Sequence, residues 1–262
     1  MTGYSDDLRL AHAMADAADE LTMRRFRASD LRIDTKPDLT PVSDADRAAE
    51  EAIRAILGRE RPGDAVVGEE YGWTGQGATR SWIVDPIDGT KNYVRGVPVW
   101  ATLIALMDEG RVVAGVVSAP ALGRRWWAAR DQGAWAGRGP GDASPIHVSA
   151  VRRLEDASFS FSDLEEWEKA GRLDLVLDLT RACWRTRGYG DFWSHVMVAE
   201  GSVDLSAEPD LSPWDMAALT VIVEEAGGRC SDLAGAPGIG ASLVCTNGPL
   251  HEEVLKRLGG AL

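Results

Sequence analysis

Trp82-Ile83-Val84-Asp85-Pro86-Ile87-Asp88-Gly89-Thr90-Lys91-Asn92 is the stretch from which the rest of the chain is read. Its apolar, β-branched opening predicts a buried strand ending at Asp85, because the residue before a proline is held extended. Asp88 follows after two residues. Gly89-Thr90 then lets the backbone come close to a ligand and offers amides to an anion. Carboxylates this close disturb each other's pKa unless a positive charge lies between them. A hard divalent cation with oxygen ligands is the usual compensation, and magnesium keeps positions open for a phosphate. The stretch predicts metal-assisted phosphoryl chemistry, although by itself it is equally consistent with an Asp-rich turn capping a helix.

Composition narrows the classes. The 262 residues can bury a sizeable core, as one domain or as two closely packed halves. With 28 basic and 41 acidic residues the net charge is −13, which offers no field for nucleic acid or an anionic membrane. An anionic substrate would need a local metal to be held. Cys183, Cys230 and Cys245 are odd in number and lack C-x-x-C spacing, so neither a disulfide framework nor a zinc site is expected, and a reducing cytoplasm fits. Met1 to Arg9 shows no signal peptide, and the longest uncharged apolar run, Gly96 to Met107, is shorter than the roughly 20 residues that span a bilayer.

In the first half, Leu8, Ala11, Ala15, Ala18 and Leu21 recur at helical spacing behind Ser5, a candidate N-cap. Pro37 and Pro41 make the next segment a loop or extended. Ser43-Asp44-Ala45-Asp46 opens a second helix as a capping-box pattern, with Gly58 as its stop. Ala65-Val66-Val67-Gly68-Glu69-Glu70 is a short strand ending on two acids, so Glu69 either shares a cavity with Asp85 or is a surface charge. Two apolar strands joined at Asp108-Glu109-Gly110, then Trp126-Trp127 and Gly133-Ala134-Trp135, predict an antiparallel meander. Trp126-Trp127 belongs to the core or to a subunit contact.

The Gly/Pro-rich patch Gly137 to Pro145 is the expected boundary, giving halves 1–140 and 141–262 packed as one unit. Beyond it, strands alternate with helices, which marks an α/β half. Ser212-Pro213-Trp214-Asp215 starts a helix with serine as N-cap and proline first, placing Asp215 at a helix N-terminus, where capping alone could account for it. His12, His147, His195 and His251 fall in no metal-ligand spacing and are expected to be satisfied or solvent-facing.

Taken together, Gly68-Glu69-Glu70, Asp85 to Thr90, Trp214-Asp215 and Ser43-Asp44 resemble, in order and spacing over nearly the whole chain, the inositol monophosphatase superfamily of magnesium-dependent phosphatases. The resemblance implies a layered α/β/α/β/α fold, antiparallel in its first sheet and mixed in its second. It implies two to three magnesium ions, with manganese as a substitute. Glu69, Asp85 and the Ile87 carbonyl would hold the first, Asp85, Asp88 and Asp215 the second, and Glu69 a looser third. Thr90 and Asp44 would position and deprotonate the attacking water, and Gly89 and Thr90 would receive the phosphate. No phospho-enzyme is needed.

Thr35 to Val42, Asp88 to Trp100 and Tyr189 to Phe192 resemble the histidinol-phosphate phosphatase branch. Asp191 and Glu208 would then meet the amine and imidazole of that substrate, with Asn92 and Arg187 as further candidates on the substrate side. The alternatives are an inositol-1-phosphate or other sugar-phosphate phosphatase and, in a different class, a non-catalytic metal-binding protein. Family members are commonly dimers, which implies a homodimer.

Overall fold

The computed structural model describes residues 3–37 and 39–260, so Met1, Thr2 and Asp38 of the segments quoted above lie outside the described residues. The first amphipathic stretch forms α1 (Ser5–Arg25), which buries Ala11, Met14, Ala15 and Ala18. Its N-cap is Tyr4 rather than Ser5, and no side chain caps it. The two-proline segment is the connection of a small hairpin, β1 (Ile33–Thr35) with β2 (Pro41–Ser43). Ser43 then caps α2 (Asp44–Glu60) through the expected capping box, and the helix runs two residues past Gly58.

Next come β3 (Ala65–Gly68), β4 (Gly72–Thr74), β5 (Arg80–Asp88), the one-turn α3 (Thr90–Val94), β6 (Ala101–Asp108) and β7 (Arg111–Ala119). They are followed by β8 (Arg124–Ala129), β9 (Ala134–Gly137) and β10 (Ser144–Ile146). These eight strands from β3 onward make one sheet in the order β10-β9-β8-β7-β6-β5-β3-β4, antiparallel except where β3 lies parallel to β5. The sheet continues past residue 140, because β10 pairs with β9 through Pro145 and Ile146.

The remainder supplies β11 (Ser158–Ser160), α4 (Leu164–Lys169), α5 (Leu173–Ala182), β12 (Arg185–Arg187), α6 (Asp191–Ala199) and β13 (Leu205–Glu208). It ends with α7 (Pro213–Glu225), β14 (Arg229–Ser231), β15 (Leu243–Thr246) and α8 (His251–Arg257). The second sheet, β12-β11-β13-β15-β14, is mixed: β11 is parallel to both neighbours and β15 antiparallel to both of its own.

The layering follows from which faces are apolar. Helices α1 and α2 cover one face of the first sheet through Ala15, Ile53, Trp82 and Trp127. Its other face packs on α6 and α7, which also meet the second sheet through Leu243 and Cys245. Helices α5 and α8 close the outside through Val176, Leu179 and Val254. This is the expected α/β/α/β/α order. Helix α7 sits between two sheets, so every residue from Met216 to Val223 is buried and the run is apolar all round rather than striped. Trp126 and Trp127 are both buried, so they belong to the core.

Candidate active site

Strand β5 carries a one-residue bulge where the two aspartates sit. Asp85 lies opposite Leu103 and Asp88 opposite Ala101, three residues against two. In a regular strand residues three apart face opposite sides; the extra residue returns both carboxylates to one face. Pro86, which cannot donate a ladder hydrogen bond, is inside the bulge, and its carbonyl accepts from Thr102 Oγ1 at 2.8 Å.

The last metal candidate comes from α7, whose N3 residue is Asp215. Asp85, Asp88 and Asp215 present oxygens that all lie within 4.8 Å of one another. Each also rests one oxygen on a backbone amide: Asp85 accepts from Ile87 N–H at 2.9 Å, Asp88 from Phe192 N–H at 2.7 Å and Asp215 from Ser212 N–H at 2.7 Å. The second oxygen of each is left for another partner. Burial, and then their mutual repulsion with Glu69 and Asp191, push Asp85 and Asp88 well above the usual carboxylate range, and burial raises Asp215 to about 7. An all-oxygen set that resists ionisation on its own fits a hard divalent cation.

Glu69 lines the same cavity, directly after β3, where its amide continues the ladder to the Val84 carbonyl. The Lys36 ammonium is 2.7 Å from Glu69 and 2.6 Å from Glu70, a cation already drawn to this negative corner. A Cβ at Gly68 would lie 2.0 Å from the buried Glu50 carboxylate, so any larger residue there would push that carboxylate out of place. That carboxylate accepts from the Glu70 amide at 2.7 Å and so shapes the Gly-Glu-Glu turn. Gly89 has φ +82°, and a Cβ would crowd the Val99 carbonyl and Asp191.

Thr90 donates to the Ile87 carbonyl at 2.9 Å and reaches Asp46 Oδ1 at 3.3 Å. The other oxygen of Asp46 accepts from the Ser43 amide at 2.8 Å and the Ser43 hydroxyl at 2.5 Å. The structure does not bring Asp44 to Thr90; Asp44 pairs with Arg25 at 2.8 Å on the outside of α2. The capping box explains the exchange. Its N3 carboxylate folds back over the helix start toward the interior, while N1 points away. Burial raises the pKa of Asp46.

A cavity of about 370 Å³ opens over these groups, lined by Lys36, Glu69, Asp88, Gly89, Thr90 and Asp215, and by a second acidic set of Glu166, Asp191 and Glu208 beside His195. Asp85 and Ile87 lie buried beneath it. Asp191 is the first residue of α6, at φ +49°, a conformation aspartate tolerates better than most residues. Burial and the Glu208 carboxylate raise it to about 6. Asn92 does not line the cavity; its amide donates to Asp191 Oδ2 at 3.0 Å and to the Val99 carbonyl, so it holds Asp191 from behind. Arg187 is not at the cavity either: it lies exposed on the edge strand β12 and donates to its neighbour's carbonyl. Glu166, on the six-residue α4, escaped the sequence reading, since so short a helix shows no periodicity; burial and Glu208 push it up to about 7. His195 is satisfied, as expected, by Glu208 and Ser206, but its place on the cavity wall had no signal in the sequence.

A model of the inositol monophosphatase family matches residues 4–260. The chain belongs to that family. The inositol monophosphatase of Zymomonas mobilis shares the fold with a TM-score of 0.87 over 99% of this chain and 100% of that one, at 34% identity. In sequence, this family member is 62% identical over 260 residues to the histidinol-phosphatase of Streptomyces coelicolor, with 97% of each chain covered. It is 59% identical over 254 residues to the histidinol-phosphatase of Mycobacterium tuberculosis, covering 97% of this chain and 98% of that one. The chain is a phosphoric monoester hydrolase. Among the described residues no helix is long and apolar enough to cross a membrane.

Proposed function

We propose that this chain hydrolyses L-histidinol phosphate to L-histidinol and phosphate in histidine biosynthesis, with magnesium as its cofactor and manganese as a substitute. The observation that carries the substrate is the second acidic set. Glu166, Asp191 and Glu208 line one cavity with the phosphate-side groups, and an alcohol bearing an ammonium and an imidazole meets them with charge-assisted hydrogen bonds. The names of the relatives at 62% and 59% identity support the same substrate. A neutral inositol ring gains less from three carboxylates.

Glu69, Asp85 and the Ile87 carbonyl would hold one ion, Asp85, Asp88 and Asp215 a second, and Glu69 a looser third. When bound, magnesium supplies a water of lowered pKa and neutralises phosphate oxygens during an in-line displacement. The chain's own part is proton handling and placement. Thr90 orients the attacking water with its hydroxyl; the water's proton passes to Thr90 as the threonine proton moves on to Asp46 Oδ1, 3.3 Å away. Gly89 and Thr90 take the phosphate against the backbone, and no cysteine or histidine nucleophile is used.

The three free cysteines support a reducing, cytoplasmic setting. Trp184, 69% exposed beside β12, supports a homodimer, which sedimentation would test. The decisive experiment compares kcat/KM for L-histidinol phosphate and inositol 1-phosphate with magnesium present. A higher value for the inositol ester would overturn the substrate.

A further inference from the structure

Among the described residues, His195 is the one histidine paired with an acid. His251 is equally buried but bonds only to the hydroxyls of Ser231 and Thr246, and His12 meets Trp127 edge to face beside Arg125. His195 is 1% exposed and sits on the wall of the active-site cavity. Its Nε2 is 2.9 Å from Glu208 Oε1 and its Nδ1 is 2.8 Å from Ser206 Oγ.

Two periodicities assemble this trio. Asp191 and His195 are one turn apart on α6 and share a face. Ser206 and Glu208 are two apart on β13 and share a face. The imidazole fills the gap between the serine and the glutamate, so ring and carboxylate are held from both sides. Glu208 is 4% exposed and stands among other carboxylates. A buried carboxylate in that company swings away unless a donor fixes it. With Oε1 fixed on His195, the remaining oxygen is the one able to accept from a bound alcohol.

We propose that His195 is a positioning residue which, backed by Ser206, fixes Glu208 as a one-oxygen acceptor for the cationic, hydrogen-bond-donating part of the leaving alcohol, and thereby sets the preference for a cationic over a neutral phosphate ester. It rests on the substrate proposed above. His195 touches no reacting atom; it acts through Glu208.

The test is the selectivity ratio, kcat/KM for L-histidinol phosphate divided by kcat/KM for p-nitrophenyl phosphate, which carries no cation. In the magnesium-loaded full-length enzyme, H195L should lower this ratio at least tenfold, mostly through KM for L-histidinol phosphate. H195Q, whose side-chain amide can still donate to Glu208, should recover most of it, and S206A should lower it about threefold. Equal losses on both esters in H195L, or an unchanged ratio, overturns the proposal, as does failure of H195Q to exceed H195L. If H195L does not fold, H195Q and S206A decide: a ratio unmoved in S206A overturns the role. A wild-type enzyme that ignores L-histidinol phosphate defeats the substrate itself, whereas a wild-type enzyme that prefers it, with H195L impaired alike on both esters, defeats the role of His195 alone.

Discussion

Asp85, Asp88 and Asp215 rest on backbone amides, whereas Asp191 and Glu208 in the same cavity are held by the side chains of Asn92 and His195. A backbone amide survives any substitution that keeps the fold, so the phosphate-side geometry is tied to the bulge in β5 and the starts of α6 and α7. A side-chain hold can be exchanged by one mutation without unfolding anything. The first set is therefore built for chemistry common to many esters, and the second for discrimination between them.

If that division holds, D88N should cost the most and should not distinguish substrates. Loss of one ligand charge is expected to lower kcat by about 10³-fold or more, about 4 kcal/mol, on L-histidinol phosphate and p-nitrophenyl phosphate alike. Chelation of divalent ions should abolish both activities, and steady-state kinetics with and without added magnesium would show it. A loss confined to one ester would break the comparison.

A sharper division falls within the first turn of α2. D46N should lower kcat by about 10²-fold, in the range of general-base effects. D44N removes only a surface contact to Arg25, for which less than a twofold change is expected. If D44N proved the worse of the two, the assignment of the base to Asp46 would fail.

On the substrate side, E208Q should raise KM for L-histidinol phosphate by roughly 10- to 100-fold, the worth of one charge-assisted hydrogen bond, and change p-nitrophenyl phosphate turnover far less. On this side the smaller effect is expected at Glu166, where E166Q should raise the same KM only several-fold. Glu166, pushed up to about 7, holds its charge above that pH and loses it as the pH falls. Its pull on the substrate cation should fade on acidification through neutrality, and E166Q should remove that part of the KM profile; identical profiles in the two proteins would argue against a substrate contact.

Much of the phosphate side is legible in the primary structure because its signals are local. Asp-Pro ends the regular part of a strand, Gly89 permits a backbone that other residues resist, and Ser43 and Ser212 mark where helices begin. Asp44 illustrates the limit. It and Asp46 share one helical turn, and two positions are about 200° around the helix axis, so only one of them faces Thr90, and which one depends on how α2 is rotated against α3. Arg187 and Asn92 were candidates for the substrate side, yet one lies on a solvent-facing edge strand and the other stands behind Asp191.

The sequence alone implied the family, the layered architecture and the identity of the acids around the bulge through its resemblance to known phosphatases, while strand, cap and turn preferences, which act over a few residues, put those acids at strand ends and helix starts. Only tertiary structure decided that Glu166 and His195 share a cavity with Asp191 and Glu208 and that Asp46 rather than Asp44 meets Thr90. Those contacts join helices and strands far apart in the chain, where preferences acting over a few residues have no reach.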